Sequence, residues 1–65
     1  MARKYYLEME MKRHGVSRKD LATALGLSSV SIQKKITGEV EFKCDEMFLA
    51  KKRIGTDATL DELFS

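Results

Sequence analysis

Proline is absent from this 65-residue chain, and cysteine and histidine occur once each. A single cysteine excludes an intramolecular disulfide, and Cys44 together with His14 cannot complete a structural zinc site. The longest uninterrupted apolar run, Met47-Phe48-Leu49-Ala50, is too short for a transmembrane helix or the core of a signal peptide. We therefore expect one cytoplasmic domain, residues 1–65, that folds on an apolar core without a metal or cofactor.

Charge of one sign is not in large excess, since the formal net charge is only +2. Its distribution is uneven. Residues 1–35 hold eight lysines and arginines against three acids, a net charge of +5, and residues 36–65 hold four against seven, a net charge of −3. This asymmetry fits either one anion-facing surface or an ordinary solvated face.

The spacing of apolar residues predicts an all-α, compact orthogonal bundle of about five short helices. The predicted helices span residues 3–14, 17–25, 28–37, 45–54 and 60–64, and four of them end at glycines. Residues 39–43 alternate like a strand, but without a partner strand we expect a loop that places Phe42 in the core. The expected core positions are Leu7, Met11, Leu21, Ala22, Leu25, Ile32, Ile36, Met47, Ala50 and Ile54.

Residues 18–37 have the pattern of a helix-turn-helix. Ala22 is small where two helices must cross closely, and Gly26 permits the sharp turn between them. Ser17 with Asp20 three positions later predicts a capped start for the first of these helices. The residues expected to hold the angle between the two helices are Leu21, Leu25 and Ile32.

The chain resembles the Cro and repressor DNA-binding domains of temperate phages, the lambda repressor-like family. Beyond the helix-turn-helix, the resemblance covers the entry Gly15-Val16-Ser17, the exit Lys35-Ile36-Thr37-Gly38 with Phe42, and the last helix Leu60-Asp61-Glu62-Leu63-Phe64. One departure is Lys35, because the family usually has an aliphatic residue there and the apolar residue here is Ile36. The resemblance implies a transcription regulator without catalytic residues.

If Ile32 and Ile36 face the core, the predicted recognition helix, residues 28–37, presents one polar face to the major groove. Gln33 suits adenine, and Val30 suits a thymine methyl group. Lys34 suits guanine O6 and N7 or, because Lys35 breaks the usual phase of the helix, a phosphate, in which case Gln33 is the main reader. The residues predicted to read bases are Ser29, Val30, Gln33 and Lys34. Those predicted to contact phosphate are Arg18, Ser28, Lys35, Thr37 and Lys43.

The expected partner is double-stranded DNA, read by a homodimer at a pseudo-palindromic operator, since one such domain covers only a half-site. The outer face of the fourth helix and the last helix, including Phe48, Leu60 or Phe64, are the expected dimer surface. No small-molecule ligand is evident. The alternative function is a protein-binding module on the same scaffold, similar to an antirepressor. The acidic second half of the chain and Phe48 would then bind the protein partner.

Overall fold

Short helices joined by tight connections make up residues 4–64, which the computed structural model describes. Within these residues the helices are α1 (Tyr5–Arg13), α2 (Arg18–Leu25), α3 (Ser29–Thr37), α4 (Cys44–Ile54) and α5 (Leu60–Phe64), and there is no strand. The predicted small all-α bundle is therefore confirmed, and residues 39–43 form a loop. The predicted start of the first helix at residue 3 lies outside the described residues.

Side-chain caps explain where the two central helices begin. Ser17 Oγ accepts a hydrogen bond from the Asp20 backbone amide at 3.0 Å, and an Asp20 carboxylate oxygen accepts one from the Ser17 amide at 3.1 Å. Ser28 Oγ likewise accepts from the Ser31 amide at 3.2 Å. Each bond satisfies an amide that has no partner inside the first helical turn, so both starts are locally encoded.

The core lies between all five helices of the described chain. Its most completely buried side chains are Leu7, Leu21, Ile32, Ile36 and Leu63. Met11 is buried in the same cluster, whereas Leu25 and Met47, which were predicted to be core residues, are only partly buried at its edge. The burial of Ile32 and Ile36 confirms the predicted rotation of α3, because its opposite face must then point to solvent.

Contacts distant in sequence hold α3 in place. α2 packs against both α3 and α4, and α1 packs against α3 and α5. The Lys4 amide donates to the Ile36 carbonyl at 2.8 Å, and Lys4 Nζ donates to the Phe64 carbonyl at 3.1 Å. The Phe64 ring meets the Phe42 ring edge-on, with 4.8 Å between centroids. The loop after α3 and the last helix are thereby tied to the same core.

Candidate nucleic-acid interface

The solvent-facing side of α3 holds the four residues predicted to read bases. Ser29, Val30 and Lys34 are exposed, and Gln33 is half-buried. Val30, in the first turn of α3, is 65% exposed although it is apolar. No described core residue covers it, so this face combines an uncovered apolar side chain with amide, hydroxyl and ammonium groups.

The Gln33 side chain is oriented by a hydrogen bond from Arg18. Arg18 Nη1 donates a hydrogen bond to Gln33 Oε1 across the space between the start of α2 and the outer face of α3. The bond fixes which end of the amide is the acceptor, and the amide nitrogen keeps its two donors. The guanidinium retains its other N–H donors for a second partner. The structure thus joins one predicted base reader to one predicted phosphate contact.

An open groove runs along this face. It is lined by Arg18, Lys19, Ser29, Val30, Gln33, Lys34 and Glu39. Three of these residues are cationic and one is anionic, so the groove has a net positive charge and suits an anionic ligand. Lys19 and Glu39 were not among the predicted site residues. Lys19 could have been predicted, because it directly follows Arg18 in the sequence. The residues around Glu39 in the sequence give no indication that it reaches this groove.

Two of the predicted phosphate contacts are hydroxyls that already act within α3. Ser28 Oγ, besides capping the helix, donates to Ser31 Oγ at 3.1 Å and remains exposed. Thr37 Oγ1 donates to the Lys34 carbonyl at 3.1 Å and is half-buried. These bonds orient the two hydroxyls, which lie at opposite ends of α3. Because each hydroxyl proton is already donated within the chain, each oxygen can only accept a hydrogen bond from an outside partner.

Lys35 was predicted to contact phosphate, but the structure places its side chain in the interior. Its side chain is only 8% exposed, and Nζ lies 2.8 Å from a Glu46 carboxylate oxygen and 3.1 Å from the Glu41 carbonyl. The ammonium also lies 5.9 Å from the centroid of the Phe42 ring. Its donors are committed to the interior, because α4 approaches the end of α3 closely enough to pair with it. Lys35 joins two helices instead of reaching the solvent.

The Glu46 carboxylate is ionised in this environment. Burial alone would raise its pKa, but hydrogen bonds from Lys35 and from the Lys43 backbone amide outweigh burial and hold the pKa below the ordinary value of 4.5. The bond from the Lys43 amide is 2.8 Å long and caps the start of α4. A charged pair therefore fixes α4 relative to α3.

The remaining predicted phosphate contact, Lys43, is exposed at the start of α4. It lines a shallow depression together with Lys34, and Leu27 and Val40 form apolar parts of the same wall. Lys43 and Lys34 therefore belong to one continuous surface beside α3. Arg18 and Lys43 line two different depressions, and Lys34 lines both of them.

Within residues 4–64, no group of three or more histidine, cysteine, aspartate or glutamate side chains is placed to hold a metal ion. In the same part of the chain, no helix has both the length and the apolar character required to cross a membrane. No protein-family model, no curated protein and no solved structure matches the chain.

Proposed function

We propose that this protein is a sequence-specific double-stranded DNA-binding transcription regulator of phage or mobile-element type. The observation that carries the proposal is the outer face of α3, where exposed Val30 and Lys34 flank a Gln33 amide held by Arg18. A helix bearing such a face fits the B-DNA major groove, which is about 12 Å wide. DNA binding of this kind belongs in a bacterial cytoplasm or nucleoid.

Each side chain on the face has a partner chemistry in the groove. The oriented Gln33 amide accepts from adenine N6 and donates to adenine N7, while its oxygen keeps the bond from Arg18. Lys34 donates to guanine O6 and N7, Val30 packs on a thymine methyl group, and Ser29 reaches a base edge. Together these contacts discriminate among neighbouring base pairs of one half-site.

Phosphate contacts set the register of α3 on the duplex. Arg18 and Lys43 supply the cations, and Lys19 extends the same positive border. The first backbone amides of α3, which follow Ser28, add neutral donors at the helix start, where the helix dipole favours an anion. Thr37 borders the other end. These contacts supply salt-dependent affinity without reading bases.

A second copy of the chain completes the operator contact, because one recognition helix covers one half-site. The residues of α4 that share its outer face are Asp45, Phe48, Leu49 and Lys52, all exposed. Phe48 and Leu49 are 60% and 44% exposed. Antiparallel pairing of two such faces about a two-fold axis brings Phe48 onto Leu49 and Asp45 beside Lys52, so the face is complementary to itself.

The same exposed Phe48 and Leu49 favour a second candidate function, a protein-binding module that acts on another regulator. An exposed apolar pair on a helix is a usual anchor for a protein partner. In that case α4 would carry the activity and the groove beside α3 would have no ligand.

Selection of bound sites from a random duplex pool, followed by gel shifts at two salt concentrations, separates the two functions. Our proposal requires an enriched, pseudo-palindromic site and an affinity that falls steeply as salt rises. Phe48→Lys should impair binding to the full site much more than binding to a half-site. An unenriched pool, with no shift at low salt, would reject the DNA-binding function and leave the protein-binding candidate.

A further inference from the structure

Glu39 occupies a fixed position at the rim of the groove beside α3. It follows Gly38, whose left-handed backbone (φ +87°) ends the helix. The Glu39 amide donates to the Lys34 carbonyl at 2.9 Å, and the Val40 amide donates to the same carbonyl at 3.2 Å. The Glu39 backbone is therefore anchored to the last turn of the recognition helix and moves with it.

The carboxylate of Glu39 is exposed and lines the same groove as Arg18, Val30, Gln33 and Lys34. Among residues 4–64, its side chain has no hydrogen bond or ion pair, and the other charged residues that line the groove, Arg18, Lys19 and Lys34, are cations. An anion at this rim opposes the binding of any phosphate placed beside it, since like charges repel. Glu39 therefore weakens binding to duplex DNA in any register that places a phosphate beside its carboxylate.

The major-groove edges of the bases limit what an ionised carboxylate can contact. It only accepts hydrogen bonds, and the donors in that groove are the amino groups of cytosine and adenine. Adenine presents its N7 acceptor beside the amino group, which repels a carboxylate, whereas the cytosine edge presents the amino group alone. Cytosine is therefore the base that best matches Glu39.

We propose that Glu39 is a specificity-determining residue of the DNA interface, whose carboxylate accepts a hydrogen bond from a cytosine 4-amino group in the major groove. This inference rests on the DNA-binding function proposed above. Glu39 then acts in two ways. It stabilises the complex at a site that offers cytosine at the rim of the half-site, and it weakens binding in every register that places phosphate or an acceptor there.

The chain contains a matched control, because Glu41 is an exposed carboxylate of the same loop that does not line this groove. The experiment is a site selection with the wild-type chain, Glu39→Ala, Glu39→Gln and Glu41→Gln, together with affinities for a random duplex. All three substitutions are at exposed positions, so equal thermal midpoints should verify that each variant folds.

We expect one cytosine at the edge of the wild-type half-site, and Glu39→Ala should reduce that preference roughly 5- to 150-fold. Glu39→Gln should shift the preference towards adenine, because an amide offers a donor for N7 as well as an acceptor. Glu41→Gln should leave the selected sequence unchanged. All three variants should bind random duplex somewhat more tightly, since each loses one negative charge.

Identical selected sequences for the wild-type chain and Glu39→Ala would overturn the inference while leaving the DNA-binding function intact. An equal change with Glu41→Gln would also overturn it, because the effect would then be one of net charge. If the wild-type chain enriches no sequence at all, the DNA-binding function fails and the role of Glu39 fails with it.

Discussion

The sequence predicts separate roles for Arg18, a phosphate contact, and Gln33, a base reader. The hydrogen bond between the two side chains makes these predicted roles dependent on each other. An arginine that holds a glutamine amide reduces the number of orientations that the amide must lose on binding adenine. Loss of either side chain should therefore affect sequence preference as well as affinity. Under the proposed DNA-binding function, Arg18 would therefore orient a base-reading side chain in addition to contacting phosphate.

A double-mutant cycle tests this dependence. Arg18→Ala and Gln33→Ala should be non-additive in binding to the selected site, with a coupling free energy of about 0.5–3 kcal/mol. Lys19→Ala is the matched control, because Lys19 lines the groove without a bond to Gln33, and its effect should add to that of Gln33→Ala. Additive effects for both pairs would show that the Arg18–Gln33 bond has no part in binding.

At the scale of helices, the junction between α3 and α4 depends on the Lys35–Glu46 pair. Lys35→Met keeps most of the side-chain volume and leaves the Glu46 carboxylate without its ammonium partner. We expect the free energy of unfolding, measured in urea, to fall by about 2–4 kcal/mol, because Glu46 loses its buried ammonium partner and keeps only the hydrogen bond from the Lys43 amide.

Lys34→Met provides the comparison for that experiment, because Lys34 is the exposed neighbour of Lys35. Its stability should change by no more than about 0.5 kcal/mol, as for other surface substitutions. Its DNA affinity should fall instead. Equal and small losses of stability in the two variants would mean that Lys35 is solvated and that the ion pair does not hold the helices together.

The start of α3 depends on Ser28, whose hydroxyl accepts a hydrogen bond from the Ser31 amide. Ser28→Ala removes this cap and should cost about 0.5–2 kcal/mol of folding free energy in chemical denaturation. Ser29→Ala is the control, because Ser29 lies inside the helix, where alanine is the more favourable residue. A greater loss of stability for Ser29→Ala than for Ser28→Ala would place the helix start one residue later.

At the scale of the whole molecule, a buried carboxylate connects the first helix to the segment before the last. The Thr56 hydroxyl donates to the Glu10 carboxylate, and the Ala58 amide donates to the same Thr56 oxygen at 3.1 Å. The Thr56 bond is the main reason why the pKa of Glu10 lies below the ordinary value of 4.5, with further contributions from Arg13 and His14. The pKa values of Asp20 and Glu46 are also lowered.

These shifts predict that acid destabilises the fold. A carboxylate whose folded pKa is lowered binds fewer protons when folded than when unfolded, so its stabilising effect is complete above the unfolded pKa and declines as pH falls through and below it. The thermal midpoint should therefore decrease between about pH 5 and about pH 3. Thr56→Val should lower the midpoint near neutral pH and reduce its acid dependence.

Thr56→Ser keeps the hydroxyl and should preserve most of the wild-type pH profile. A Thr56→Val profile parallel to that of the wild-type chain would show that the threonine hydroxyl does not set the Glu10 pKa. A flat wild-type profile over the same range would contradict the contribution of all three carboxylates.

Local signals in the sequence were sufficient for the elements of this fold. The Ser17–Asp20 cap acts within one helical turn, and apolar spacing determined that Ile32 and Ile36 face inward and Val30 outward. Such interactions join residues close along the chain, so they can be read without knowing where other helices lie. The number of helices, their approximate limits and the exposed face of α3 followed in this way.

The partners of individual side chains at the site were decided only by tertiary structure. Lys35 borders the buried stripe of α3, and nothing within its own helix indicates that Glu46, from the next helix, pairs with its ammonium. The bond between Arg18 and Gln33 and the approach of Glu39 to the groove depend equally on how helices and loops are placed. A long polar side chain at the edge of a helix can be solvated or paired, and the free-energy difference depends on a partner that only the packing of the helices supplies.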